Sequence, residues 1–148
     1  MFAPRLASSA FGQYANAIPL AQLYGRVGIE TGVESASPHR LVTMLFDGFA
    51  EAVAQAKGAL ASGQIEAKGR AIGRAARIVD EGLKASLDLR AGGPLPADLA
   101  DLYGYITLRL TQANLRNDAR ALDECLALIQ PLREAWASIA PQVDAART

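Results

Sequence analysis

Residues 35–60, SASPHRLVTMLFDGFAEAVAQAKGAL, constrain the fold more than any other stretch of this chain. The start is set by local chemistry. Ser37 can accept a hydrogen bond from an N–H of the first helical turn that would otherwise lack a partner. Pro38, at the first helical position, fixes φ and gives up an N–H that has no partner there anyway. Leu41, Met44, Leu45, Gly48, Phe49, Ala52, Ala56 and Leu60 then recur at spacings of three and four, so one helix face is apolar. Val42, Phe46 and Val53 widen that face. A stripe this broad needs more than one neighbour, which predicts a helix wedged among others. Gly48 lowers helix propensity but admits a close backbone.

A chain of 148 residues fits one domain and can bury roughly 70% of its unfolded surface. With 51% hydrophobic and 20% charged residues it is a globular chain and not a disordered one. Fifteen basic residues balance fifteen acidic ones, so no overall field draws it to nucleic acid or anionic lipid. Cys125 is the single cysteine, which excludes an internal disulfide. No apolar run is long enough to span a bilayer, and Pro4, Ser8, Ser9, Gly12 and Gln13 interrupt any signal-peptide pattern. Soluble and cytoplasmic is the expectation, with no membrane insertion and no nucleic-acid partner.

Residues 1–23, broken by Pro4, Gly12 and Pro19, read as a mobile extension. Residues 24–36, with three glycines and the Val27/Ile29 pair, read as an extended arm that has apolar side chains to place. The first helix stops at Gly63. A second begins near Gln64, with Ile65, Ile72, Ala76, Val79, Leu83 and Leu87 on one face, and Ala-Gly-Gly-Pro at 91–94 stops it. A third starts near Pro96, with Asp98 and Asp101 in its first turns, and buries Leu99, Leu102, Tyr103, Ile106, Leu110 and Ala113. The run from Asn114 to Asp118 offers a left-handed stop and then an N-cap. The fourth helix presents Leu122, Cys125, Leu126, Ile129, Leu132, Trp136 and Ile139, kinks at Pro131 and ends at Pro141. Short connections make neighbours antiparallel. The expected fold is all-α: an antiparallel up-down four-helix bundle with an N-terminal arm, the bundle and arm spanning 24–140 and a frayed tail following at 141–148.

The sequence offers little reactive chemistry, and no catalytic, cofactor-binding or metal site is expected. His39, the only histidine, falls in a first turn and is expected to face solvent or neighbour the cap. A helical di-metal site needs Glu-x-x-His on facing helices, which one histidine cannot supply. Cys125 lies among Leu122, Leu126 and Ile129, the setting of an inert buried thiol. Gly92-Gly93 runs into Pro-Leu-Pro and not into a phosphate-binding lysine. Arg70, Arg74, Arg77 and Lys84 share one side of the second helix, either as a solvated face or as a docking stripe for an acidic partner. Tyr103 and Tyr105, two apart, must divide between core and surface. Ile78, Leu108, Leu115 and Leu128 lie off the main stripes, and together they allow a groove for an amphipathic guest.

The run YGRVGIETGVESASPHRLVTMLFDGFAEAVAQAK resembles the opening of the FliS family of flagellin-specific export chaperones. There, a Tyr-led arm precedes a Ser-Pro-x-x-Leu helix that continues into Met-Leu-Tyr-Asp-Gly. Ser37-Pro38-His39-Arg40-Leu41 and Met44-Leu45-Phe46-Asp47-Gly48 stand in those places, with Phe46 replacing the usual tyrosine. Leu102-Tyr103-Gly104-Tyr105-Ile106, the run Ala113 to Asp118, and Leu132-Arg133-Glu134-Ala135-Trp136 resemble the family's third helix, the following turn and the end of its fourth helix. The likeness runs from about Tyr24 to Ile139 and says nothing of residues 1–23.

The resemblance implies a bundle without enzymatic activity. It implies a partner, the disordered C-terminal segment of newly made flagellin, held in the cytoplasm so that it neither polymerises early nor loses fitness for export. The flagellar export apparatus is a further implied partner. The residues expected to bind the client are Tyr24, Val27 and Ile29 in the arm, with Phe46, Ile78 and Tyr105. Leu108, Leu115 and Leu128 complete that set. The arm is expected to fold over the groove until a client displaces it. The alternative is a helical adaptor or obligate homodimer that buries its extra apolar stripes against a copy of itself.

Overall fold

Ser37 is extended, at φ −67° and ψ 162°, and its hydroxyl accepts from the Arg40 N–H at 3.1 Å, opening helix α1 (Pro38–Ala61). The computed structural model describes residues 37–85, 87 and 93–139. Gly63, at φ 72°, reverses the chain where a side chain would strain the backbone. Helix α2 (Ile65–Arg77) follows and runs on without a break as a π-helical segment, Ile78–Lys84. Helix α3 (Pro94–Arg116) begins two residues earlier than its prolines suggested, after Gly93 at φ 79°. Pro94 and Pro96 both fall where the helix has no N–H partner to offer, so neither disturbs it. The earlier start carries Asp98 and Asp101 beyond the first turn. Asn117, left-handed at φ 51° and ψ 50°, closes α3, and Asp118 caps helix α4 (Ala119–Ser138) through the Arg120 N–H at 2.9 Å. Helix α4 passes through Pro131. Pro131 and Ala127, whose carbonyl loses its usual donor, are both exposed, so water can take the vacant place.

Contacts between helices give their directions. Leu45, early in α1, meets Gly82 near the end of the π-helical segment. Lys68, early in α2, reaches Asn114 and Asn117 at the end of α3. Lys57, late in α1, pairs with Asp123, early in α4, at 2.5 Å. Each helix therefore runs against its neighbours, and α1 closes the ring on α4. The result is an all-α, antiparallel four-helix bundle, with no strand among the described residues. Its centre is filled by Leu45, Phe46, Phe49, Ile78, Leu83, Tyr103, Ile106 and Trp136, all fully enclosed. Burying each of these side chains stabilises the fold by about 1.5–3 kcal/mol, before chain entropy is counted.

Three expectations are corrected here. Ile72, Val79, Leu83 and Leu87 are buried as expected, but Ile65 is 52% exposed, and the buried face also takes in Lys68, Ala71, Ala75, Ile78 and Gly82. Small residues stand among the buried positions of this face. A Cβ on Gly82 would lie 2.9 Å from Leu45 Cδ2, so any larger residue there would require the Leu45 side chain to shift. Ile78, expected off the core stripe, is fully inside. Phe46 is enclosed as well, so neither Phe46 nor Ile78 presents surface to a client in this fold. The second helix, expected to run to the Ala-Gly-Gly-Pro at 91–94, ends sooner, at Lys84 with Ala85 as its C-cap, and Leu87 is not helical. The arm residues Tyr24, Val27 and Ile29, the extension 1–23 and the tail from residue 140 lie outside the described residues. Among the described residues, no helix is long and apolar enough to cross a membrane.

Candidate functional site

Helix α3 turns Leu99, Tyr103, Ile106, Leu110 and Ala113 inward, as its periodicity requires. Its outer side is not polar throughout. Tyr105 is 42% exposed, Leu108 53% and Leu115 78%. These three positions lie close to one line along the helix, about 15 Å from end to end. Ile65 lengthens it. Lys68, three residues after Ile65, is bound to the Asn114 carbonyl beside Leu115, so Ile65 and Leu115 share one end of the bundle. Ile65 went unrecognised in the sequence because its spacing also suits the core face of α2. Leu128, on α4, packs half-buried against the core instead of standing free.

Tyr105 is steered by a polar cluster spanning α3 and α4. Its hydroxyl donates to Glu124 Oε2 at 2.6 Å, and Arg109 Nε donates to Glu124 Oε1 at 2.7 Å. Arg109 Nη1 donates to Gln112 Oε1 at 2.6 Å. Hydrogen bonds from Tyr105 and Arg109 hold the Glu124 carboxyl below the usual carboxylate range. The bond to Glu124 raises both Tyr105 and Arg109, so the tyrosine stays a neutral donor. The ring is thereby set at the α3–α4 seam, beside the apolar line. Such a line, with its polar border, can receive the apolar face of an amphipathic helix.

The motif segments noted in the sequence occupy joints of the bundle. Asp47, from the Met-Leu-Phe-Asp-Gly segment, accepts from Arg133 Nη2 at 2.7 Å and Nε at 3.1 Å. His39, expected to face solvent or neighbour the cap, lies two residues from the Ser37 cap and is half-buried, stacked on Trp136. Asn117 accepts from the Lys68 ammonium, which is only 3% exposed and also donates to the Asn114 carbonyl at 2.9 Å. Nothing in the periodicity singled out Lys68, since a lysine on a helix is ordinarily a surface residue. The Cys125 thiol is enclosed, faces the Ile106 carbonyl at 3.8 Å and is pushed up to about 11 by burial, which leaves it protonated and inert.

Comparison with known proteins follows the same outline. The family model described as flagellar protein FliS matches residues 20–143. The flagellar secretion chaperone FliS of Salmonella typhimurium strain LT2 is 47% identical over 121 residues, which cover 82% of this chain and 90% of the relative. The flagellar secretion chaperone FliSB of Pseudomonas aeruginosa is 43% identical over 116 residues, 78% of this chain and 91% of the relative. FliS of Escherichia coli K12 is 41% identical over 115 residues, 78% and 85% of the two chains. With one matched bundle spanning the described residues and relatives covered nearly end to end, the chain belongs to the FliS family of flagellar secretion chaperones.

Proposed function

We propose that this chain binds the disordered C-terminal segment of flagellin in the cytoplasm, blocks its premature polymerisation and keeps it competent for the flagellar export apparatus. The observation that carries this reading is the exposed apolar line Tyr105, Leu108 and Leu115 on a bundle whose interior is otherwise closed. A disordered segment that folds onto such a line loses chain entropy, and apolar burial offsets that loss. Leu108 and Leu115 are the contacts we assign to the client, with Tyr105 marking the border of the site and Ile65 extending it.

Titrating the full chain with a flagellin C-terminal peptide tests the proposal. Helicity followed by circular dichroism should exceed the sum of the two components. Leu108→Glu with Leu115→Glu should abolish that gain while shifting bundle stability by no more than about 0.5 kcal/mol per site. No helicity gain with the parent chain would overturn the reading. If instead the free chain elutes as a dimer that the same two substitutions dissociate, and the peptide has no effect, the apolar line serves a second copy of the chain.

A further inference from the structure

A second surface lies on the other side of α2. The end of α1 and the start of α2 enclose an open groove of about 450 Å3, whose lining includes the small residues Gly58, Ala59 and Ala67. Gln55, Arg70 and Arg74 also line it, and the lining contains no acidic residue. Arg74 is half-buried, and neither guanidinium has a hydrogen-bond or ion-pair partner among the described residues. Each offers five N–H donors arranged to meet a carboxylate through two parallel bonds. A chain of zero formal net charge has here concentrated unpaired positive charge beside a concave surface.

We propose that this groove docks an extended, acidic segment of a partner protein, separately from the apolar line on α3. The spacing indicates the pattern it takes. Arg70 and Arg74 are four residues apart, about 6 Å along the helix axis. Carboxylates at alternate positions of an extended peptide lie on one side, about 6.6 Å apart. An acidic-x-acidic segment therefore presents one carboxylate to each arginine while its backbone lies along the groove. A nucleic acid fits the site less well, because the lining has no aromatic ring for a base to stack on and too few cations to follow a phosphate chain.

The test uses the full chain and a fluorescein-labelled peptide of alternating glutamate and threonine, read by fluorescence polarisation at low salt. A glutamine-for-glutamate peptide and an oligothymidylate of equal charge serve as controls. The glutamate peptide should bind and the glutamine peptide should not. Arg70→Glu with Arg74→Glu should weaken binding roughly tenfold or more. Gly58→Phe provides the second variant, because a Cβ there meets nothing within 4 Å and the ring can fill the groove without straining the helix. It should weaken binding without altering charge, and it decides the matter if the double variant fails to fold. Unchanged peptide binding in the Gly58→Phe chain, or oligothymidylate binding as tightly as the glutamate peptide, would overturn the proposal.

Discussion

His39 and Trp136, 97 positions apart in the chain, hold each other by two hydrogen bonds and a ring stack. The indole Nε1 donates to the His39 carbonyl at 3.0 Å, and His39 Nε2 donates to the Trp136 carbonyl at 2.9 Å. The rings lie 4.9 Å apart and within 4° of parallel. Each residue thus satisfies a main-chain carbonyl of the other, fastening the first turn of α1 to the last turn of α4.

Removing one half of this clasp should be measurable. His39→Ala loses the stack and one hydrogen bond, and should lower stability by about 1–2 kcal/mol. Trp136→Ala empties a fully packed site as well and should cost about 3–5 kcal/mol. Urea unfolding followed by circular dichroism checks both values. A His39→Ala chain as stable as the parent would show that the clasp is incidental.

Lys68 should behave unlike the other cations of α2. Lys68→Met removes the donor and leaves the Asn114 carbonyl and the Asn117 side chain without it, at a cost of about 1–3 kcal/mol. Arg70→Met, on the exposed side of the same helix, should stay within about 0.5 kcal/mol of the parent. Paired denaturation curves test the contrast.

Gly82→Ala inserts a methyl group 2.9 Å from Leu45 Cδ2. Leu45 is fully enclosed and cannot swing clear, so overpacking of about 1–3 kcal/mol should exceed the helix-propensity gain of up to about 1 kcal/mol. The net effect is destabilising. Leu45→Val in the same chain should recover part of the loss, and a double-mutant cycle measures that coupling.

The Cys125 thiol titrates near 9.0 when unperturbed and is raised to about 11 in the fold. Between these values the unfolded chain loses its thiol proton before the folded one does, so stability should fall as pH rises from about 9.0 towards about 11. The contribution is neutral below that window. Other groups titrate there too, so the measurement is the difference between the parent and Cys125→Ala, whose stability should fall less steeply. At neutral pH, Ellman's reagent should react with the parent only as fast as the bundle opens.

The start of α1 and the turns at the α1–α2 and α3–α4 connections were legible in the sequence because capping is local, whereas the end of α2 and the start of α3 were placed too late. Ser37 before Pro38, Gly63, and Asn117 followed by Asp118 each act on a backbone group within a few residues, and each has the predicted conformation. The inward faces of α1, α3 and α4 followed from periodicity because large side chains mark them, as with Leu45, Phe49, Tyr103, Ile106 and Trp136. Tyr105, Leu108 and Leu115 could be placed outside the core by the same rule, and they are the exposed part of the candidate site.

On helix α2 and its continuation, periodicity found Ile72, Val79, Leu83 and Leu87 but misplaced Ile65 and Ile78. The core face of this helix is marked by Ala71, Ala75 and Gly82 as much as by large residues, and small side chains give no amphipathic signal. Gly82 packs against Leu45, Ile78 is enclosed within the π-helical segment and Ile65 is exposed, and none of these three placements is marked by spacing along the helix. The same holds for the joints. Lys68 finds its acceptors 46 and 49 residues away, and His39 finds Trp136 only because antiparallel packing brings two chain segments to one end of the bundle. Spacing along one helix determines which side is apolar. The partner that meets a particular side chain is determined by the shapes of the neighbouring helices, which no single segment contains.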